Sequence, residues 1–164
     1  MKLSEFIKKY GDCEVTDKIK ECIVKKPKTV WNLKNGDICY GINIFNEAVD
    51  FEWCDSPANE CTRSIGLITL TEEELKFKIE SMKVYEELKR YAKDFTDEEW
   101  HKSSIYKYYL YANYASSGEE DVCIEGSYLH KNGGLYFESR GKAREAIEAV
   151  GEDRIKKYYL GVKE

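Results

Sequence analysis

The stretch Gly134-Leu-Tyr-Phe-Glu-Ser-Arg-Gly-Lys-Ala-Arg-Glu-Ala-Ile-Glu148 decides the architecture, because it is written once before, 68 positions earlier, as Gly66-Leu-Ile-Thr-Leu-Thr-Glu-Glu-Glu-Leu-Lys-Phe-Lys-Ile-Glu80. In both copies a glycine opens a short apolar run. A hydroxyl residue, Thr71 or Ser139, then stands where a helix is N-capped, and an aliphatic residue, Leu75 or Ala143, follows four positions later. The identical residues are Gly, Leu, Ile and Glu. The pattern predicts a strand followed by a capped helix, twice. The expected fold is α+β, with two related halves, each an antiparallel β-meander followed by a helix, plus an N-terminal helical arm.

Working outward, 164 residues suit one compact domain, 1–164, able to bury roughly two-thirds of its unfolded surface. The arm is residues 1–28, where Ser4 and Thr16 can start short helices and Gly11 ends the first. It reads as a lid on the sheet or, alternatively, a detachable partner-binding arm. The first meander and a long helix occupy 29–94. Trp31 precedes an Asn-Gly turn and is expected in the core; Ile38 to Ile44 and Ala48 to Trp53 flank a second turn at Asn46 as a hairpin. Cys54 to Ser64 reads as a polar loop, and Ile65 to Leu70 as a third strand.

The helix start is sharply specified. Thr71 and Glu74 have capping-box spacing, with Leu70 and Leu75 as the staple, and the helix should reach about Lys93. Leu75, Ile79, Met82, Tyr85, Leu88 and Ala92 recur at three and four residues, predicting one core-facing stripe. Thr96 and Glu99, with Phe95 and Trp100, repeat the capping logic and open the second half, 95–164. His101 falls near the exposed side of that short helix.

Ile105 to Tyr114 is dense in aromatics and reads as a strand. One face carries Tyr106, Tyr108, Leu110, Ala112 and Tyr114, the other Ile105, Lys107, Tyr109, Tyr111 and Asn113. A loop, 116–121, leads to a strand from Val122 to His130. A turn at Lys131 to Gly134 then leads into Leu135 to Glu138, a helix from about Arg140 to Val150, and a closing strand from Tyr158 to Val162.

Thirty-one acids against 26 bases give a net charge of −5, which argues against a protein built chiefly to hold phosphate backbone. The N-terminus lacks the long apolar run of a signal peptide and no 18-residue apolar stretch follows, so a cytoplasmic protein is expected. The six cysteines, Cys13, Cys22, Cys39, Cys54, Cys61 and Cys123, are then expected as free thiols, without zinc-site spacing. Only His101 and His130 could partner a nucleophile, and neither has a nucleophile-elbow or papain-like context. No phosphate-cradling glycine motif is present. No catalytic residue, cofactor or metal ligand is therefore assigned.

What remains is binding chemistry. Tyrosine, with an apolar body and a polar tip, suits interfaces, and acidic runs can meet a basic partner. The candidate partner-binding residues are Asp97, Glu98, Glu99, Tyr109, Tyr111, Glu119, Glu120 and Asp121, the two acidic segments among them lying where the halves differ.

Trp31-Asn-Leu-Lys-Asn-Gly-Asp37, Leu70-Thr-Glu-Glu-Glu-Leu75 and the run from Ala146 to Val162, with its Gly-Glu-Asp-Arg-Ile-Lys-Lys-Tyr-Tyr core, resemble small uncharacterised proteins of phages and prophages of Gram-positive bacteria. Leu70 stands where that pattern usually has Phe, and Leu75 where it has Ala. The resemblance implies a non-enzymatic accessory protein that inhibits a host defence complex, foremost a CRISPR-Cas effector, in the bacterial cytoplasm. Alternatives are a nucleic-acid-binding factor using the Tyr106 to Tyr114 strand and a cysteine-dependent enzyme.

Overall fold

A computed structural model describes residue 5 and residues 27–114, 120–127 and 134–162. The helices expected in the arm, apart from Glu5, lie outside the described residues, as do Cys13, Cys22, His130 and most of the 116–121 loop and the 131–134 turn.

The chain is mixed helix and strand. A 3-10 turn, Val30–Asn32, precedes β1 (Ile38–Ile42) and β2 (Ala48–Glu52), then α1 (Pro57–Ser64), α2 (Glu72–Lys89) and α3 (Asp97–His101). After these come β3 (Lys107–Tyr114), β4 (Glu120–Ser127), α4 (Arg140–Val150), α5 (Glu152–Arg154) and a π-helical turn, Ile155–Tyr159. β1 pairs with β2 and β3 with β4, both antiparallel. The first hairpin turns where Asn46 adopts φ 61°. There the Asn43 side-chain oxygen accepts from the backbone N–H of Phe45 at 2.8 Å and of Glu47 at 3.0 Å.

Among the described residues neither expected three-stranded meander forms; each sheet has two strands. The returning segments each make one reciprocal backbone pair: Tyr40 with Thr69, both bonds 3.0 Å, and Tyr108 with Phe137, at 3.0 and 2.8 Å. Pairing stops because the next residues belong to a helix start, with the Thr71 and Ser139 hydroxyls accepting from the N–H groups of Glu74 and Lys142. On the other side Leu67 N–H is taken by Thr62 O and Leu135 N–H by the Tyr159 hydroxyl. The paired residues, the caps and the helix starts Glu72 and Arg140 each recur at the 68-residue spacing.

Three further expectations are corrected. The polar loop contains α1, whose start is the Ser56-Pro57 pair: Ser56 Oγ caps Asn59 N–H at 3.2 Å and proline occupies the first turn, where its missing donor costs nothing. The closing strand is absent from the described residues. The chain stays helical because Ile155, fully buried, anchors it in the core and Leu160 N–H returns to Ile155 O at 2.9 Å. Trp31 is 66% exposed, not core. Its ring covers the guanidinium of Arg63, which sits 5.2 Å from Trp31 and 4.9 Å from Trp53, and it is Trp53 that is buried.

The long helix also ends earlier, at Lys89, and has no single buried stripe. Leu75 and Ile79 are buried near its start, Val84 and Leu88 near its end, whereas Met82 is 43% and Tyr85 41% exposed. Nine residues at about 100° each place Val84 half a turn round the axis from Leu75. α2 therefore buries one flank first and roughly the opposite flank later. Along its length it packs against both strands of the first hairpin and against α4 and the π-helical turn. One core holds Leu33, Cys39, Trp53 and Ile68; the other holds Val84, Leu88, Leu110, Leu135, Phe137, Ala143, Ala146, Val150 and Ile155. Arg154 ties α5 back to α2 through Glu87 at 2.8 Å and Glu80 at 3.5 Å.

Gly41 lets the first hairpin close: a Cβ there would stand 2.9 Å from Phe51 Cε1 and 3.6 Å from Ile68 Cδ1. The helix caps yield a contrast for measurement. At α3 the box is reciprocal, Glu99 N–H to Thr96 Oγ1 at 3.2 Å and Thr96 N–H to Glu99 Oε2 at 3.0 Å. At α2 only Thr71 accepts, and the Glu74 carboxylate faces Lys78 at 3.4 Å instead. Thr71→Ala and Thr96→Ala should each cost about 1 kcal/mol. In urea unfolding, Glu99→Ala should cost about as much, and Glu74→Ala less than about 0.5 kcal/mol.

Candidate functional site

β3 alternates as its sequence requires. Tyr108 and Leu110 turn into the core, with half-buried Ala112 on their side of the strand by alternation, while Lys107, Tyr109, Tyr111 and Asn113 lie on the opposite face. The register sets Glu125 opposite Tyr109, Cys123 opposite Tyr111 and Asp121 opposite Asn113. The Tyr109 hydroxyl donates to Glu125 Oε2 at 2.7 Å. That bond, burial and the charge of Glu125 push the phenol up to about 12. The Cys123 thiol beside Tyr111 likewise raises the Tyr111 phenol.

A chain of rings links this face to α3. Phe95 and Trp100 stand 5.9 Å apart, Trp100 and Tyr136 4.9 Å, Tyr136 and Tyr109 6.0 Å, Tyr109 and Tyr111 6.3 Å, with tilted or edge-on geometry throughout. Tyr136 is buried at the centre of the chain. A cavity of about 430 Å³ runs beside it, lined by Tyr109, Leu110, Leu135, Tyr159 and Leu160 among others. The structure thus brings α3 and the outer face of β3–β4 to the two ends of one aromatic array.

The anticipated acidic residues divide. Asp97 and Glu98 are exposed on the first turn of α3. Glu99 is committed to the scaffold: Lys93 Nζ at 2.8 Å and the Thr96 N–H hold its carboxyl below the usual range. Asp121 is exposed on β4; Glu120 is a β4 residue by its backbone; Glu119 lies outside the described residues. Glu125, Cys123, Trp100 and Tyr136 escaped the sequence reading. Glu125 meets Tyr109 only through the hairpin register, and Tyr136 lies in the repeated stretch, which reads as scaffold.

His101 is exposed, with Nδ1 2.6 Å from Asp97 O. Cys39, Cys54, Cys61 and Cys123 are free thiols, and burial raises that of Cys39. Among the described residues no three His, Cys, Asp or Glu side chains converge to hold a metal, and no helix is long and apolar enough to cross a membrane. Comparison of the chain with protein-family models, curated proteins and solved structures finds no match.

The Tyr109–Glu125 bond has a pH signature. The protonated phenol is the donor, and its folded value of about 12 lies above the ordinary 10.0. The stabilisation is therefore complete below about pH 10 and is lost as pH rises through about 12. In an alkaline titration read at 295 nm, Tyr109→Phe should delete a phenolate component that titrates near 12; loss of a component titrating near the ordinary 10.0 instead would refute the bond.

Proposed function

We propose that this chain is a phage-encoded, non-enzymatic accessory protein that inhibits a host defence complex by binding it, foremost a CRISPR effector, in the cytoplasm of the bacterial host. The observation that carries the binding part is the cross-strand pair Tyr109–Glu125 at 2.7 Å on the outer face of β3–β4, with Tyr111 and exposed Asp121 on the same face. Ring faces and carboxylates together suit Arg and Lys side chains, through cation–π contact and charge-assisted hydrogen bonds. The net charge of −5 favours encounter with a basic surface of the kind that holds nucleic acid, and those same carboxylates disfavour direct binding of a phosphate backbone.

The chain is also read as a doubled unit, 29–94 and 95–164, on the 68-residue recurrence of the strand pairs, caps and helix starts. A tagged copy should retrieve a defence effector from host lysate, and its expression should weaken Cas interference. Tyr109→Ala combined with Glu125→Lys should lower affinity at least about tenfold, roughly 1.4 kcal/mol. Retrieval of no defence protein, together with undiminished interference, would sink the reading.

A further inference from the structure

Among the described residues the first hairpin leaves one strand edge unpaired. β1 and β2 bond through Cys39↔Phe51 and Gly41↔Val49, continued by Asn43 N–H to Glu47 O at 3.0 Å and Trp53 N–H to Asp37 O at 2.7 Å. In an antiparallel pair the intervening residues direct their N–H and C=O groups outward. On β1 the outward groups of Tyr40 are taken by Thr69. On β2 the outward groups belong to Ala48, Asp50 and Glu52, and no described residue bonds to any of these six. Asp50 and Glu52 expose their carboxylates on one face of the strand; Val49, 38% exposed, and half-buried Phe51 lie on the other. Ile44 and Phe45 stand exposed at the hairpin tip beyond the strand.

We propose that the free edge of β2 is a strand-addition site for an extended basic peptide segment. Cationic side chains at alternate positions would sit opposite Asp50 and Glu52, aliphatic ones between them would extend the Val49–Phe51 face, and the outward backbone groups would supply the ladder. Charge disfavours a second copy of this chain as the occupant in the two registers that pair all or the acidic end of the strand. Antiparallel self-pairing centred on Asp50 sets Asp50 against Asp50, and a register centred between Asp50 and Glu52 sets each acid against the other. This site lies on the first hairpin and is independent of the β3–β4 face.

The probe is a blocked heptapeptide of alternating Lys and Val, added to the full chain, with amide hydrogen exchange read residue by residue. Slowed exchange at Ala48, Asp50 and Glu52 is expected, with a matching Glu-Val peptide giving none. Asp50→Pro removes one outward donor without touching a β1–β2 bond and should weaken binding at least tenfold, whereas Asp50→Asn, which keeps the donor, should weaken it less. Should the proline variant fail to fold, methylating the peptide's alternate amides provides the same block from the other side. Asp50→Lys with Glu52→Lys should reverse the preference to the Glu-Val peptide. Absence of protection at those three amides, equal binding of both peptides, or self-association through β2 would overturn the proposal.

Discussion

Phe137→Ala should lower unfolding free energy by about 3–5 kcal/mol, the range for emptying an aromatic site in a packed core. Phe137 is fully buried in the cluster that holds Leu110, Ala143, Ala146 and Ile155, and among the described residues its backbone makes the one pairing of its segment with β3, through Tyr108. The cavity would open where β3, α4 and the π-helical turn meet. None of the three can move in alone, because Ser139 caps α4 two residues later and Leu135 N–H is held by Tyr159. Phe137→Leu, retaining most of the volume, should cost far less, about 1 kcal/mol. Chemical denaturation of both variants decides the matter; a loss below about 1 kcal/mol for Phe137→Ala would mean this is not a packed core. The residue 68 positions earlier, Thr69, is equally buried but turns its hydroxyl to Thr71 O at 2.8 Å, so the two cores do not share one filling.

The second large effect is expected at Lys107. Its side chain is fully buried beneath α3, with Nζ 3.5 Å from both Trp100 O and Lys102 O and 5.1 Å from the centre of the Trp100 ring. The ammonium thus sits at the C-terminal end of α3, where unpaired carbonyls gather, and its stem fills the space under the indole. Lys107→Ala removes both and should cost about 2–4 kcal/mol. Lys107→Met keeps the stem and loses only the donors, so roughly half the loss should return. Equal losses for the two variants would show that the donors dominate. Equal stability of Lys107→Met and the parent chain would show that packing alone matters. Amide exchange across Asp97–His101 should quicken in both, because the end of α3 loses its clamp.

These two positions mark where reading by pattern stops. Alternation placed Lys107 on the face of Tyr109 and Tyr111, and that is where it lies; its burial comes from α3 folding over that end of the strand, an arrangement created by the Phe95–Trp100 and Trp100–Tyr136 contacts. The candidate site was legible to the same depth. Tyr109 and Tyr111 share an outer face as their spacing implies. Their partners Glu125 and Cys123 depend on a hairpin register that no local rule supplies. Glu99 looked like a docking acid, and the capping pattern that also surrounds it proved the better guide to its role.

The sequence by itself determined what is satisfied within about four residues: the caps at Thr71, Thr96 and Ser139, the hairpin turn at Asn46, the alternation of β3 and the mixed helix and strand content. Such features are decided by backbone N–H groups seeking the nearest acceptor, so adjacent residues specify them. Only the tertiary structure decided that Trp53 and not Trp31 enters the core, that α2 changes its buried flank midway, that the returning segments pair through a single residue, and that Ile155–Tyr159 forms a helical turn anchored by Ile155. Each of these turns on apolar area buried against residues distant in the chain, and burial is not directional, so no local pattern can choose among the faces that could supply it.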